Sequence, residues 1–341
     1  MSSTHCRPNG KMMTMNDLQI LARQLKEILG EDRVLCREPM RRHCSFQCGG
    51  PADLLVYVSE LDALRKTIAL LQAAGEPFYI LGRGTNLLIG DKGYRGCIIT
   101  MTRQGSLPVT DTTALSEAAE EDGSASLSEV RTEGCRIIAG AGASLSAAAG
   151  EAYRNGLGGL AFAAGIPGSV GGGLVMNAGA YGGEMKQVVE RVQMLLPDGT
   201  LRTFSKDEME FGYRTSVLKR NGGVAVSAVF ALQKEDPAEI AAQMTDFANR
   251  RKSKQPLEYP SAGSTFKRPE GYFAGKLISD AGLRGFSIGG AQVSDKHAGF
   301  VINRDGASAA DVRAVIEAVQ QKVMETAGVR LEREVIFLGD F

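Results

Sequence analysis

Apolar side chains recur at helical spacing at Leu18, Ile20, Leu21, Leu25, Ile28 and Leu29, behind Asn16-Asp17 and ahead of Gly30. This pattern predicts a capped amphipathic helix. Short apolar runs at 54–58 and 78–81 predict strands, with a helix over 61–74 between them that ends at Gly75. Strand, helix and strand in that order predict a βαβ unit with a parallel pair. Residues 98–101 and 136–139 read as further strands, and Ser144 as the cap of a helix over 145–155. Residues 188–196, the turn Pro197-Asp198-Gly199 and residues 201–204 predict a hairpin. Ser205 and Glu208 have the spacing of a capping box, and 224–232 reads as a strand. Helices are predicted over 237–251, stopped by Gln255-Pro256, over 272–281, and over 309–327 behind Ser308. Residues 293–303 contain an apolar segment, 298–302, and residues 329–338 alternate as a strand. Residues 103–133 are rich in Ser, Thr, Ala and acid with little apolar period, which predicts an exposed, disordered hairpin insertion. No internal repeat is evident.

One stretch follows neither period. From Gly156 to Gly183 glycine is interleaved with Leu160, Phe162, Ile166, Val170, Leu174, Val175 and Met176, without a charged residue. A flexible linker would carry Ser, Gln or charge in place of these core residues. The stretch therefore reads either as tight packing of elements or as backbone wrapped closely around a flat, polar-edged ligand. Pro167 pre-sets a turn, and the N–H groups of Gly168, Ser169 and Val170 then point into one concavity, an anion nest. A second glycine loop, Gly82-Arg83-Gly84-Thr85-Asn86-Leu87-Leu88, directly follows the strand at 78–81. It lacks the third glycine and the long helix of a dinucleotide fingerprint. It reads as a tight turn or as a backbone loop on a pyrophosphate, with Thr85 and Asn86 as extra donors. Two such loops at strand ends favour a phosphate-bearing cofactor.

The totals narrow the choice. A length of 341 residues predicts two or three domains. A net charge of zero gives no support for nucleic acid or an anionic membrane as partner. No apolar run approaches the ~18 residues of a membrane span. Residues 1–15 have no apolar signal segment and read as a disordered leader, with Met15 as an alternative start and the cytoplasm as the expected location. The six cysteines read as free thiols. His43, Cys44 and Cys48 lack a second ligand pair at finger spacing, so no metal site is expected.

Six motifs occur in one order: Gly82-Arg83-Gly84-Thr85-Asn86, Gly165-Ile166-Pro167-Gly168-Ser169-Val170-Gly171, Asn177-Ala178-Gly179-Ala180-Tyr181-Gly182, Phe211-Gly212-Tyr213-Arg214-Thr215-Ser216, Gly263-Ser264-Thr265-Phe266-Lys267-Arg268-Pro269 and Leu331-Glu332-Arg333-Glu334-Val335. From about residue 44 to 339 the chain thereby resembles the UDP-N-acetylenolpyruvoylglucosamine reductases, flavoenzymes of bacterial cell-wall precursor synthesis. The short segment from Arg214 to Ser264 resembles the subtype without a tyrosine-bearing substrate loop. The resemblance implies an α+β fold: a two-subdomain FAD-binding α/β region, of the type shared with vanillyl-alcohol and p-cresol flavoproteins, plus a C-terminal α+β substrate-binding domain. The implied divisions are a leader at 1–15, subdomains at 16–100 and 101–234 with an insertion at 104–133, and a substrate domain at 235–341.

The implied reaction is NADPH-dependent reduction of UDP-N-acetylglucosamine enolpyruvate through non-covalent FAD, by a monomer. Carried over residue by residue, Arg214 holds the substrate carboxylate and the developing enolate, Ser264 donates a proton, and Glu334 acts at the same intermediate. Gly82, Arg83, Gly84, Thr85, Asn86, Leu87, Gly165, Pro167, Gly168, Ser169, Gly172, Asn177, Ala178 and Gly179 are the implied cofactor-binding residues. Tyr181, Tyr213, Lys254 and Lys267 line the substrate pocket. The chain departs from the family at Arg83, where a glycine is common, and in the length of its insertion. His297 reads as a hydrogen-bonded structural histidine. Two competing functions are an FAD-linked alcohol oxidase on the same cofactor fold and a non-catalytic flavin-binding protein.

Overall fold

A computed structural model of the chain describes residues 14–101 and 126–341. Residues 1–13 of the leader expected over 1–15, and most of the predicted insertion, lie outside the described residues; Thr14 and Met15 are instead the cap and first residue of α1. In chain order the elements are α1 (Met15–Leu29), β1 (Val34–Pro39), β2 (Pro51–Tyr57), α2 (Leu61–Ala73), β3 (Phe78–Leu81), β4 (Leu87–Ile89), β5 (Tyr94–Thr100), β6 (Val130–Glu133), β7 (Arg136–Gly140), α3 (Leu145–Arg154), β8 (Leu157–Gly158), α4 (Val170–Met176), β9 (Gly179–Ala180) and β10 (Gly183–Glu184). Then come α5 (Met185–Val188), β11 (Val189–Leu195), β12 (Leu201–Ser205), β13 (Val224–Ala231), β14 (Gln233–Lys234), α6 (Pro237–Lys254), α7 (Ala274–Asp280), β15 (Ser287–Ile288), β16 (Ala291–Val293), β17 (Val301–Asn303), α8 (Ala309–Ala327) and β18 (Ile336–Leu338). The chain divides into two compact units. The first comprises Met1–Cys36, Leu54–Arg83 and Gly96–Ala248; the second comprises Arg37–Asp53, Gly84–Arg95 and Asn249–Phe341.

The first unit holds the larger core. α1 buries Leu21, Ala22 and Leu25, as its apolar period requires. Its cap is Thr14 rather than Asn16-Asp17. The Thr14 hydroxyl accepts from Asp17 N–H, and the Asp17 carboxylate accepts from Thr14 N–H at 3.1 Å, closing a capping box. The expected parallel pair is corrected as well. β3 pairs in parallel with β5, from Phe78↔Cys97 to Leu81↔Thr100, and the sheet order β1-β2-β5-β3 puts β5 between the two predicted partners. The segment Cys97-Ile98-Ile99-Thr100 is buried throughout, and a strand apolar on both faces belongs at a sheet centre.

The second sheet of this unit is antiparallel, in the order β12-β11-β13-β7-β6. Its hairpin β11–β12 turns at Pro197-Asp198-Gly199 as expected, and Ser144 caps α3 by accepting from Ala147 N–H. Ser205 and Glu208 form the bonds of a capping box, at 2.9 and 3.3 Å, yet the residues that follow form turns and no helix. Met209, fully buried, accepts from Val217 N–H and draws the chain back at once.

The exposed insertion was expected to extend to Glu133. Instead, residues 126–133 are built into the fold: β6 pairs with β7 from Val130↔Ala139 to Glu133↔Arg136, and Leu127 is 1% exposed. β6 is an edge strand with Arg131 and Glu133 in solvent, so backbone hydrogen bonds hold it and its apolar period is weak.

In the second unit α8 is the main apolar support. Ser308 and Asp311 form its capping box, and Val312, Val315, Ile316, Val319 and Val323 are buried along one face. The antiparallel strands β15, β16 and β17 lie against it. β18 pairs in parallel with β4, from Ile336↔Leu87 to Leu338↔Ile89. Only this end of the predicted strand over 329–338 is regular. The preceding residues pair on another side, Phe266↔Arg333, and the change of partner interrupts the ladder. The predicted helix over 237–251 continues to Lys254 as α6.

Burial of Leu127 makes a measurable prediction. Leu127→Ala should lower unfolding free energy by about 2–5 kcal/mol, read as a shift in the urea midpoint. An exposed insertion residue would change it by less than about 0.5 kcal/mol.

Candidate active site

The two glycine stretches meet within the first unit. Gly82, at the end of β3, faces Ser169, Gly171 and Gly172 at the start of α4 across a cleft of about 470 Å³, counting the space open to solvent. Met101, Ala141-Gly142, Val175, Leu218 and Gly223-Val224-Ala225 complete the lining. Ser169 is buried and caps α4, its hydroxyl accepting from Gly172 N–H at 3.2 Å. A Cβ on Gly82 would stand 2.6 Å from that hydroxyl, and one on Gly171 would stand 3.0 Å from the Ala141 Cβ. Side chains would fill this cradle, so the residues present fit a flat cofactor that needs close backbone approach. The expected three-residue nest is corrected in one member. Val170 N–H donates to the Ala143 carbonyl at 2.8 Å, because Ser144 and Ser169 pair as an antiparallel bridge, and it does not point into the concavity. Gly165 and Pro167 are exposed on the loop before the bridge; Gly168 is partly exposed, and its carbonyl accepts from Leu145 N–H. Sequence reasoning missed the segment Ala141-Gly142. Its signal is the run of small residues 139–143, where a Cβ on Gly142 would strike the Met101 carbonyl at 2.1 Å. Arg83 is half-buried, and loss of hydration pulls its pKa down from the ordinary guanidinium value.

The rest of the first glycine loop belongs to the second unit. Gly84 has φ +65°, its carbonyl accepts from Ser45 N–H at 3.0 Å, and a Cβ there would fall 2.0 Å from the His43 carbonyl. Asn86 Nδ2 donates to the Glu334 carbonyl at 3.2 Å, and the Asn86 carbonyl accepts from Ile336 N–H at 3.0 Å. Leu87 begins β4 and pairs with Ile336. Glu334 N–H donates to the Thr265 carbonyl at 2.9 Å, and Lys267 N–H to the Glu332 carbonyl at 2.8 Å. Thus the segments carrying Ser264, Glu334 and Asn86 lie side by side. Ser264 is exposed and Glu334 half-exposed.

Lys267 holds Glu332 at 3.0 Å, and this pairing lowers the Glu332 carboxyl pKa. Lys254 is exposed at the end of α6. His297 is structural as read: its Nδ1 accepts from Gly299 N–H at 3.1 Å, its ring meets Phe300 edge-on at 4.9 Å, and burial pushes its pKa down. Cys44 and Cys48 are buried, the Cys44 thiol donates to the Cys48 carbonyl, and burial raises both thiol pKa values.

Arg214 sits in the first unit at the tip of a two-residue turn. Gly212 N–H donates to the Thr215 carbonyl at 3.0 Å, and Thr215 N–H returns a bond to Gly212 at 3.3 Å. Arg214 takes φ +55°, a left-handed conformation that such a turn ordinarily reserves for glycine. Its guanidinium lies 5.4 Å from the Tyr213 ring centroid. Tyr181, at φ +54°, stacks on Phe247 with centroids 4.8 Å apart and planes 8° from parallel. Phe247 was not foreseen; its signal is an aromatic residue on an otherwise polar helix, α6. Asn177, at φ +42°, is buried, and its side chain is engaged inside the protein. Nδ2 donates to Glu184 at 2.8 Å and to the Gly212 carbonyl at 3.1 Å, while Oδ1 accepts from Lys186 N–H. Ala178 accepts from Met185 N–H, and Gly179 pairs with Glu184 in the β9–β10 hairpin. Left-handed backbone at Asn177, Tyr181 and Arg214 is strain of the kind that collects at functional sites.

Comparison with known proteins agrees with this geometry. Residues 52–205 match the family model described as an FAD binding domain. Residues 255–338 match the model described as UDP-N-acetylenolpyruvoylglucosamine reductase, C-terminal domain. The chain is 47% identical over 322 residues to the UDP-N-acetylenolpyruvoylglucosamine reductase of Caldanaerobacter subterraneus subsp. tengcongensis, covering 94% of this chain and 99% of that protein. It is 48% identical over 327 residues to the reductase of the same name from Agathobacter rectalis, covering 95% and 99%. Among solved structures it is similar to UDP-N-acetylenolpyruvylglucosamine reductase from Thermus caldophilus, with a TM-score of 0.69 and 31% identity over 89% of this chain and 98% of that one.

Gly142→Ala should abolish bound-flavin absorbance in the purified protein, because the new methyl group meets the Met101 carbonyl, backbone that cannot rotate away. Gly134→Ala, at a left-handed glycine with open space around it, should keep the chromophore. Loss of absorbance in both variants, or in neither, would contradict the cradle.

Proposed function

The chain belongs to the UDP-N-acetylenolpyruvoylglucosamine reductase family, and from that premise we propose how its own side chains divide the reaction. It is an FAD-dependent oxidoreductase that uses NADPH to reduce UDP-N-acetylglucosamine enolpyruvate to UDP-N-acetylmuramate in peptidoglycan precursor synthesis. FAD would be held by the two glycine loops, 82–87 and 165–172, and would supply the two-electron chemistry that links NADPH to the enolpyruvyl double bond. The fold is the expected one, an FAD-binding region followed by a C-terminal substrate-binding domain. The division we infer is cofactor binding by residues 16–100 and 101–234 and substrate binding by 235–341.

As the double bond is reduced, its π pair moves onto the carboxylate-bearing carbon as an enolate. Arg214 meets the substrate carboxylate and stabilises that charge where it develops. Ser264 gives its hydroxyl proton to the same carbon, completing the new C–H bond. A serine is a weak acid, but an enolate is a strong base, so the transfer runs downhill. Ser264 is exposed, so solvent restores its proton. Glu334 works at the same intermediate. Residues 82–87, Gly165, Pro167, Gly168, Ser169, Gly172 and 177–179 hold the cofactor. Tyr181, Tyr213 and Lys254 contact the substrate, and Lys267 exchanges Glu332 for a substrate oxyanion.

The observation that most directly supports this assignment is the Asn86–Glu334 hydrogen bond. It ties the end of a cofactor loop to the segment that carries Glu334, alongside the Ser264 segment. Among the described residues no helix is long and apolar enough to cross a membrane. We infer that the reaction runs in the cytoplasm, in a monomer.

An anaerobic half-reaction tests the reading. The holoenzyme is reduced with one equivalent of NADPH, and the enolpyruvyl substrate is added. Rapid return of the yellow flavin band, dependent on that substrate, is expected; return with oxygen alone would favour an alcohol oxidase. In the same assay Ser264→Ala should slow the return by about 10²–10⁴-fold. Arg214→Ala should slow it by about 10²–10³-fold. Reduction by NADPH should persist in both variants. Near-normal turnover of Ser264→Ala would remove its role as the acid.

A further inference from the structure

Two buried side chains tie the turn that presents Arg214 to α4. Asn177 Nδ2 donates to the Gly212 carbonyl at 3.1 Å, on the entry side of the turn. The Ser216 hydroxyl donates to the Val175 carbonyl at 3.2 Å, on the exit side. Both Asn177 and Ser216 are buried, so water competes poorly for these bonds. Val175 belongs to the last turn of α4, and Asn177 is its left-handed C-cap. The other end of α4, at Ser169–Gly172, lines the cofactor cleft. A helix of seven residues spans roughly 10 Å and changes length little. From these contacts we infer that Asn177 and Ser216 are positioning residues. They fasten the arginine turn to α4 and thereby set where the Arg214 guanidinium stands relative to the cofactor cleft.

The strain at Arg214 is the physical reason such fastening is needed. A non-glycine residue at φ +55° relaxes to negative φ unless its surroundings hold it. The turn's own two hydrogen bonds can persist while the tip rotates. A third bond, from Lys219 Nζ to the Arg214 carbonyl at 2.7 Å, acts on the tip itself, but Lys219 is exposed and its bond competes with solvent. The buried pair at Gly212 and Ser216 therefore carries the constraint. The inference rests on the proposed role of Arg214 and adds what keeps it in place.

The test uses holoenzyme and both half-reactions. Asn177→Gly keeps a residue at ease with positive φ and deletes the amide, removing the tether to Gly212 together with the bonds to Glu184 and Lys186 N–H. Ser216→Ala deletes the second tether independently and carries the test if the first variant folds poorly. Each should slow flavin reoxidation by the enolpyruvyl substrate by about 10–100-fold and raise its KM, as expected for a misplaced group. In Ser216→Ala, whose side chain has no part in holding the cofactor, flavin reduction by NADPH should change less than about twofold, since that step does not use the misplaced group. In an Arg214→Ala background the tether variants should slow reoxidation no further, because the group they position is gone.

Proportional loss of both half-reactions in Ser216→Ala, or an undiminished effect of either variant in the Arg214→Ala background, would show a merely structural role and overturn the inference. If Arg214→Ala is slow while both tether variants are fast, the tether alone is wrong. If Arg214→Ala itself reoxidises at the normal rate, the reading of Arg214 falls and takes the tether with it.

Discussion

At Gly82 and Ser169 two backbone segments pass so close that a single methyl group on the first would meet the hydroxyl of the second at 2.6 Å. That constraint governs the first unit. Strand β3 is followed at once by a residue without a side chain, and α4 carries glycines in its first turn. The third segment of the rim must also be small, as Ala141-Gly142 is. Backbone brought this near a ligand needs partners for its polar groups. The fold supplies most of them internally, through the Ser144–Ser169 bridge and the Ser169 cap, and leaves a narrow glycine-lined cleft between. A family whose cofactor is a flat ring system on a diphosphate has direct use for such a surface.

The residues assigned to chemistry stand outside regular elements. Arg214 is on a turn tip, Ser264 on an irregular segment, and Glu334 just before β18. Loops can offer side chains in conformations that helices and strands forbid, but they must then be fixed by other means. Here the means are side-chain to backbone hydrogen bonds: Asn177 to Gly212, Ser216 to Val175, and Asn86 to Glu334. Each joins residues distant in the chain, so each ties a functional loop to a different part of its own unit. The oxidase alternative shares the cofactor surface but has no need of these ties, which is why the half-reactions separate the two.

Much of this was legible from the chain. Helices with strong apolar period and a capping residue, such as α3 and α8, stand where Ser144 and Ser308 predicted them, since cap and period are local properties. The glycine loops were legible because close backbone approach selects one residue type. The order of six motifs identified the family, and the relatives agree over nearly the whole chain. What failed turned on polar and backbone bonds that the apolar period does not register. The helix cap fell to Thr14 because the Asp17 carboxylate reaches back to it. Edge strand β6 carries little apolar signal because backbone bonds hold it.

The sequence by itself determined which residues could do the chemistry and which backbone had to come close to a ligand, because residue type and local spacing carry that information. Only the tertiary structure decided which strand lies beside which. The choice of β5 as partner of β3 rests on burial of both faces of β5. Tertiary structure also decided that Val170 N–H is taken by Ala143, that Lys267 rests on Glu332, and that Asn177 holds the arginine turn. These are pairings between groups each able to bond several partners, and the choice among them is made by distance in three dimensions.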